Sequence, residues 1–484
     1  MDKVFDNPSQ LEALVKQKFG FPDFIMMENA ALAIKNLITE LSVNCKKSNT
    51  SCIILCGKGN NGGDGYALAR LLQGEYNPLV FCLEPPAANE AKTQYEMCRK
   101  LGITFLSKTN LIKKLTDKSE PAAFIVDCLY GTGFKGELTG DTAKIIELAN
   151  KAKSIRIACD IPTALAFNAD YTVTMGEHKL PLFSDKAKNV TGKIIVAPLG
   201  IDRMLFENTV PSPAAYLITK QDCKLPLRTN KAAHKGTYGH TAVFAGEKSG
   251  AAIISATAAM NFGSGLTTII KQESDNLSQF KISPELMISD SIPPKTTCIV
   301  LGPGCSKLHS DTASLIQQWW FNEKTKSPAA VFDAGMFGDP DFEKLLKKLN
   351  TRKDSRIVLT PHLAELARLC NVETLAYSPE TKILIGKTLT KKFPKTTLVI
   401  KSANTFICSG GQTFIVTDGS PSLAKGGSGD VLAGMIASLL AQGYSAKDAA
   451  ITACEVHALA GTAHGAQAYD LSPMRIIEII NSIK

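Results

Sequence analysis

The 484-residue chain has no C-x-x-C pair, although it holds 13 cysteines. Without paired spacing these thiols make neither a zinc site nor a disulfide frame. Most sit in apolar runs, such as Cys52 and Cys56 in SCIILC, and read as buried free thiols of a reducing compartment. A basic stripe with interleaved aromatics is also missing. Lys plus Arg exceed Asp plus Glu by 54 − 45 = +9, a mild excess over this length, and no nucleic-acid partner is expected. The opening MDKVFDNPSQLEALVKQKFG has no apolar signal region, and no later run is long enough to span a bilayer. No membrane partner is expected, and the expected location is cytoplasmic. The six His other than His362 show no metal spacing, the two Trp (Trp319, Trp320) read as packing, and no fixed-period repeat supports a solenoid.

What is present is globular. Hydrophobic residues make up 44% and charged residues 20%, with 36 Gly and 23 Pro, which excludes disordered and collagenous chains. Short β-rich runs (SCIILC, NPLVFCL, AAFIVDCLYG, IRIACDIP, YTVTM, KIIVAPLG) alternate with amphipathic stretches such as DTAKIIELANKAK. That rhythm marks a parallel sheet covered by helices. A Pro-rich stretch over residues 198–230 interrupts it, and the rhythm then resumes with TAVFAG, CIVLGPG, AAVFDAG, RIVLTPH, TLVIKS, TFICSG and TFIVTDG. The expected fold is α/β in two domains, residues 1–210 and 211–484, each with its own site at the carboxyl ends of the strands.

In the first half, Gly57, Gly59, Gly62, Gly63 and Gly65 follow a strand and enter a helix. They are expected to bring the backbone close to a ligand and to take positive φ. A tight turn alone would also use them. Asp127 and Asp160 stand at two other strand ends, where an Asp can equally cap a helix. Asn61, Asp127 and Thr163 could converge as oxygen ligands, and one carboxylate among neutral oxygens suits a monovalent cation. Asp160 remains as a proton acceptor. In the second half, Gly426, Gly427 and Gly429 precede a helix that begins near Asp430. Backbone N–H groups there can hold a transferring phosphoryl group, and the acid can take a proton from an attacking hydroxyl.

MMENAA, NNGGDG, VDCLYGTGFKGE and the DIP turn together resemble the NAD(P)H-hydrate epimerase family, whose fold is Rossmann-like and which uses potassium. The resemblance implies a hydrate site at Asn60, Asn61, Gly62, Gly63, Asp64, Gly131, Thr132, Gly133, Phe134, Lys135, Gly136, Glu137 and Asp160. It implies potassium at Asn61, Asp127 and Thr163. GGSGD, KGTYGH, GPG, LTPHLAEL and KSANT resemble the ADP-dependent NAD(P)H-hydrate dehydratase branch of the ribokinase-like kinases. This implies Asp430 as the base, with Ala251, Ala252, Gly304 and His362 lining the hydrate site. Lys401, Ser402, Ala403, Asn404, Thr405 and Gly429 would meet AMP or ADP, with ADP the phosphoryl donor and Mg2+ beside it. Hydrated NADH and NADPH are the implied substrates, and a homo-oligomer is expected.

Three departures from these families stand out. DIPTAL replaces DIPSGL, placing Ala164 at a glycine position, and DAGMF replaces DADAL, placing Gly335 at an acid position. AGEKSGAAI is a shortened form of a glycine-rich loop. A ribokinase-like kinase of a vitamin-type alcohol fused to a nucleotide-binding domain, or a non-catalytic nucleotide sensor, are the competing readings.

Overall fold

The computed structural model describes all residues except 46–50, 135, 211, 373–377, 466 and 484. The chain forms two compact units, Lys3–Pro213 and Ala214–Lys484, the latter joined by the first two residues.

The first unit has strands β1 (Ser51–Cys56), β2 (Asn77–Cys82), β3 (Thr104–Phe105), β4 (Phe124–Cys128), β5 (Ile155–Cys159), β6 (Tyr171–Met175) and β7 (Lys193–Ala197). They pair in the order β3-β2-β1-β4-β5-β6-β7, all parallel. The central strands β1 and β4 are apolar and buried because helices cover both faces. One face packs Ile54, Val126 and Ile157 with α2 (Asp23–Cys45) and α3 (Asn60–Leu72), and the other packs Ile53, Ile125 and Ala158. Chain order reverses beside β1, between β2 and β4, and this crevice is where open α/β sheets bind ligands.

The glycines after β1 work differently from expectation. None of Gly57, Gly59, Gly62, Gly63 or Gly65 has positive φ. Asn60 to Gly65 already lie within α3, and the glycines let that helix sit hard against the sheet. A Cβ on Gly62 would stand 1.9 Å from the Gly57 carbonyl oxygen, and one on Gly65 would stand 2.7 Å from Cys56 Sγ. Cys56 is in register with both Cys82 and Cys128, so compact thiols floor this approach. All three are free, as the spacing predicted.

The second unit has β8 (Ala215–Leu217), β9 (His240–Phe244), β10 (Leu266–Ile270), β11 (Met287–Ser289), β12 (Cys298–Leu301), β13 (Ala329–Phe332), β14 (Arg356–Leu359), β15 (Thr396–Ile400), β16 (Thr405–Ser409) and β17 (Gln412–Val416). Their order is β11-β10-β9-β12-β13-β14-β15-β16-β17-β8. The parallel rhythm ends at β15, because β15, β16 and β17 run antiparallel. Gly410 (φ 56°) and Gly411 (φ 80°) make a two-residue turn whose left-handed backbone matches the strand twist. Helices α4 (Ser249–Asn261), α5 (Leu363–Leu369), α6 (Pro379–Lys392), α7 (Ser428–Ala441) and α8 (Ala446–His464) cover the sheet. Small residues of α4 and α7 make their close contact possible, as a Cβ on Gly434 would meet the Ser255 carbonyl oxygen at 2.1 Å. Among the described residues no helix is long and apolar enough to cross a membrane.

Candidate functional sites

In the first unit a cavity of about 630 Å³ opens at the carboxyl ends of β1, β4 and β5. Asn60, Asn61, Asp64, Gly131, Thr132, Gly133, Phe134 and Asp160 all line it. Gly62 and Gly63 are buried behind it, Gly136 and Glu137 are exposed and outside the lining, and Lys135 falls outside the described residues.

Asp127 is fully buried at the end of β4. Its carboxylate accepts from the Thr163 amide (2.8 Å), the Thr163 hydroxyl (2.7 Å) and the Leu129 amide (3.2 Å). Burial still lifts it to about 6, and those bonds only partly offset the lost hydration. Thr163 Oγ1 in turn accepts from Tyr130 N at 3.2 Å, next to Gly131, where a Cβ would meet Asn61 at 3.8 Å. The side-chain oxygen and nitrogen of Asn61 are buried with no hydrogen-bond partner. A buried amide of that kind is expensive unless something occupies the space beside it. An under-neutralised carboxylate, a hydroxyl and an orphaned amide oxygen fit a hard, singly charged cation.

Asp160 turns the chain at φ 71° and points its carboxylate at Lys179, a contact that sequence reasoning missed. Lys179 is only 2% exposed and belongs to the short strand His178–Lys179. Burial opposes its charge, but Asp160, Glu177 and Glu12 outweigh that and hold the ammonium above its ordinary range. Burial also raises Glu177, to about 8, and Asp64, which Asp160 repels further. One cation thus faces several acids, and the cavity holds groups able to give and to take protons.

Ala164 carries the strain implied by the altered DIPTAL turn, at φ 52° and ψ 20°. A side chain in that region costs roughly 1–2 kcal/mol. Ala164→Gly should therefore stabilise the protein by about 1 kcal/mol, after the added freedom of the unfolded glycine is subtracted. A higher urea midpoint with unchanged slope is the expected measurement.

In the second unit, Asp430 is the third residue of α7. Gly427 caps that helix at φ 90°, where a Cβ would stand 2.5 Å from the Pro473 ring. Ser255 Oγ donates to the Asp430 carbonyl at 2.8 Å. Buried His457 contacts both the Ser428 carbonyl and hydroxyl at 3.1 Å, and burial lowers it to about 4. It is therefore neutral, with Nε2–H donating to the carbonyl. These bonds fix the helix start, an end of the helix dipole that favours an anion.

Around Asp430 the loops after β13, β14 and β15 converge. Lys401 Nζ lies 2.8 Å from Asp333 Oδ1 and 3.9 Å from Glu365 Oε2. A Cβ on Gly429 would stand 3.4 Å from the same Nζ. Burial, then repulsion from Asp333, raises Asp430 to about 6 against the pull of Lys401. Neither Asp333 nor Glu365 was assigned a role from sequence. Asp333 had the signal that singled out Asp127, a lone acid ending an apolar strand.

His362 is exposed and caps α5: its Nδ1 accepts from Glu365 N at 3.3 Å and its backbone N donates to Glu365 Oε2 at 2.8 Å. A backbone bridge links it to Lys401. Gly304 (φ 72°) touches Ala251, where its Cβ would stand 3.3 Å from that of Ala251. Ala252 instead lies in the core. The KSANT loop is held by Ser402 Oγ, which donates to Asn404 O at 2.6 Å and accepts from Lys382 Nζ at 2.8 Å. Ala403 is exposed, Asn404 is buried and Thr405 begins β16.

The other two departures share a cause. Glu247, in the shortened loop, binds the amide (3.0 Å) and hydroxyl (2.7 Å) of Ser306. The GPGCS loop so placed puts the Cys305 carbonyl oxygen 1.9 Å from a Cβ on Gly335. No acid fits there.

Two α/β units each gather acids around a lysine at the strand ends, Lys179 in the first and Lys401 in the second. A family described as NAD(P)H-hydrate dehydratase matches residues 241–482, and one described as YjeF-related protein N-terminus matches residues 23–180. The bifunctional NAD(P)H-hydrate repair enzyme Nnr of Helicobacter pylori is 35% identical over 100% of both chains. The enzyme of that name from Moorella thermoacetica is 30% identical over 93% of this chain and 90% of its own. A solved structure of the ADP/ATP-dependent NAD(P)H-hydrate dehydratase from Bacillus subtilis, co-crystallized with ATP/Mg2+, covers 56% of this chain and 97% of its own, at 24% identity and TM-score 0.46. The chain belongs to the bifunctional NAD(P)H-hydrate repair enzymes. Its activity is metabolite repair, by an NAD(P)H-hydrate epimerase and a dehydratase, and neither the vitamin-kinase nor the sensor reading is favoured.

Proposed function

We propose that the first unit interconverts the R and S hydrates of NADH and NADPH in the cavity bounded by α3, Gly131–Phe134 and Asp160, and that the second dehydrates the S hydrate at Asp430. The observation that carries the reading is the Asp430–Lys401–Asp333–Glu365 cluster at the start of α7.

In the first site Asp160, in contact with Lys179, takes a proton at the C6 oxygen of the hydrate. Asn61, Asp127 and Thr163 are the residues that would hold potassium. A bound potassium ion would supply positive charge beside the substrate.

In the second site Asp430 accepts the proton of the C6 hydroxyl as that oxygen attacks the terminal phosphorus of ADP. The amides of the Gly426–Gly429 turn hold the phosphoryl oxygens, apart from that of Ser428, which donates to Lys425 O at 3.2 Å, and Lys401 faces the charge that builds up. AMP leaves. The ring nitrogen then expels phosphate from C6, C5 loses a proton, and the dihydronicotinamide is restored. The KSANT loop, residues 401–405, receives the adenine nucleotide. Mg2+ would arrive with ADP, because no group of three or more His, Cys, Asp or Glu among the described residues is arranged for a metal. The free buried thiols support a reducing, cytoplasmic setting.

Mixed hydrate epimers supplied with ADP test this directly. Dihydronicotinamide absorbance should return for both epimers with ADP, and for neither without it. Phosphorylation of a vitamin-type alcohol with no turnover of hydrate would instead establish the kinase reading.

A further inference from the structure

The first-site cavity contains a carboxyl group that the assigned motifs do not include. Glu12 lies on α1 (Pro8–Phe19), outside residues 23–180 matched by the N-terminal family, yet it lines the same cavity as Asp160 and Lys179. The helix is held in place locally. Asn7 Oδ1 accepts from Gln10 N at 3.2 Å, Leu11 and Val15 are buried on either side of Glu12, and Gly20 closes the last turn onto Lys16 O at 2.9 Å. Lys16 then pairs with Asp23 at the start of α2, which fixes the corner between the helices. Glu12 therefore enters the cavity from α1, while Asp160 enters from the end of β5 and Lys179 from the strand His178–Lys179.

We propose that Glu12 is the second acid–base catalytic residue of the epimerase, serving one face of the hydrate C6 while Asp160 serves the other. The inference rests on the epimerase reading of this cavity. Inverting a hydroxyl-bearing carbon by loss and return of water needs a proton delivered where water leaves and removed where water adds. One carboxyl cannot serve both faces. Burial raises Glu12, as do Asp160 and Asp23, against the pull of Lys179 and Lys16, which suits it to the donor role. Asp64 and Glu177 add further negative charge nearby, while Lys58 and Glu84 pair with each other at 3.2 Å. Asp160, which contacts Lys179, takes the acceptor role.

In one passage Glu12 gives its proton to the C6 hydroxyl. The C6–O bond breaks, its electron pair leaves with water, and the N1 lone pair forms a C6=N1 bond. Water adds to the opposite face, the π pair returns to N1, and Asp160 takes the proton released. One water leaves and one enters, with no change of oxidation state. Reverse passage, or proton exchange with water in the cavity, restores both carboxyls.

The test uses the full chain, a single purified hydrate epimer, potassium and no ADP, with chromatography following the appearance of the other epimer. Glu12→Gln should lower kcat by at least about 10²-fold with little change in KM. The wild-type rate should fall as pH rises through the Glu12 titration, since the protonated form is the donor, and that descent should vanish in the variant. Glu12→Ala should be partly rescued by added acetate, which a purely structural role would not allow. Epimerisation by Glu12→Gln at the wild-type rate, a loss confined to KM, or no rescue by acetate would overturn the inference. A wild-type chain that fails to equilibrate the epimers would overturn the epimerase reading beneath it.

Discussion

Asp430→Asn should fold, still bind AMP, and lose ADP-driven dehydration by at least about 10²-fold. Asn keeps the size of Asp and most of its capping ability but cannot take the hydroxyl proton. Epimerisation should be unchanged, because that chemistry belongs to the first unit. The pH dependence has a definite sign. Asp430 is raised to about 6 and acts unprotonated, so wild-type kcat/KM for dehydration should rise with pH through about 6 and then level off. The same charge strains the folded protein. A folded-state value above the unfolded one means that the carboxyl contributes its full stability only below its unfolded value and loses it as pH rises through about 6. Asp430→Asn should therefore be more stable than wild type at pH 8, by up to about 3 kcal/mol at 1.36 kcal/mol per unit, as read by urea unfolding. Near-normal dehydration by this variant would remove Asp430 as the base.

Asp127→Ala should lower the epimerase rate and its response to potassium by about tenfold or more, while dehydration of the S hydrate stays unchanged. The carboxylate is the only formal charge among the three candidate ligands. Its loss also strands the buried amides of Thr163 and Leu129, each at about 1–3 kcal/mol. Asp127→Asn separates the two effects: it keeps an acceptor for Thr163 but removes the charge. The response to potassium should fall alike in both variants, with the larger loss of thermal stability in Asp127→Ala. Equal losses of epimerisation and dehydration would count against the assignment.

The strands, the two-unit division and the position of Asp430 were legible in the chain itself. Apolar runs of strand length, ended by Gly or Asp, are set by neighbours in sequence, and a carboxylate after GGSG at the start of an apolar helix needs no distant partner to be recognised. Even the antiparallel β16–β17 turn was written locally, in Gly410 and Gly411. The glycines of α3 were visible but their task was not. They admit the Gly57 carbonyl and Cys56 rather than a left-handed backbone, and that depends on which strand lies beneath the helix. Lys179 reaches Asp160 and Lys401 reaches Asp333 because the strand order places those loop ends side by side. Gly335 tolerates no acid because a loop 30 residues earlier in the chain supplies the Cys305 carbonyl. Periodicity reports which face of an element is apolar. Which charges meet depends on sheet order and on burial, and those arise only when the chain is packed.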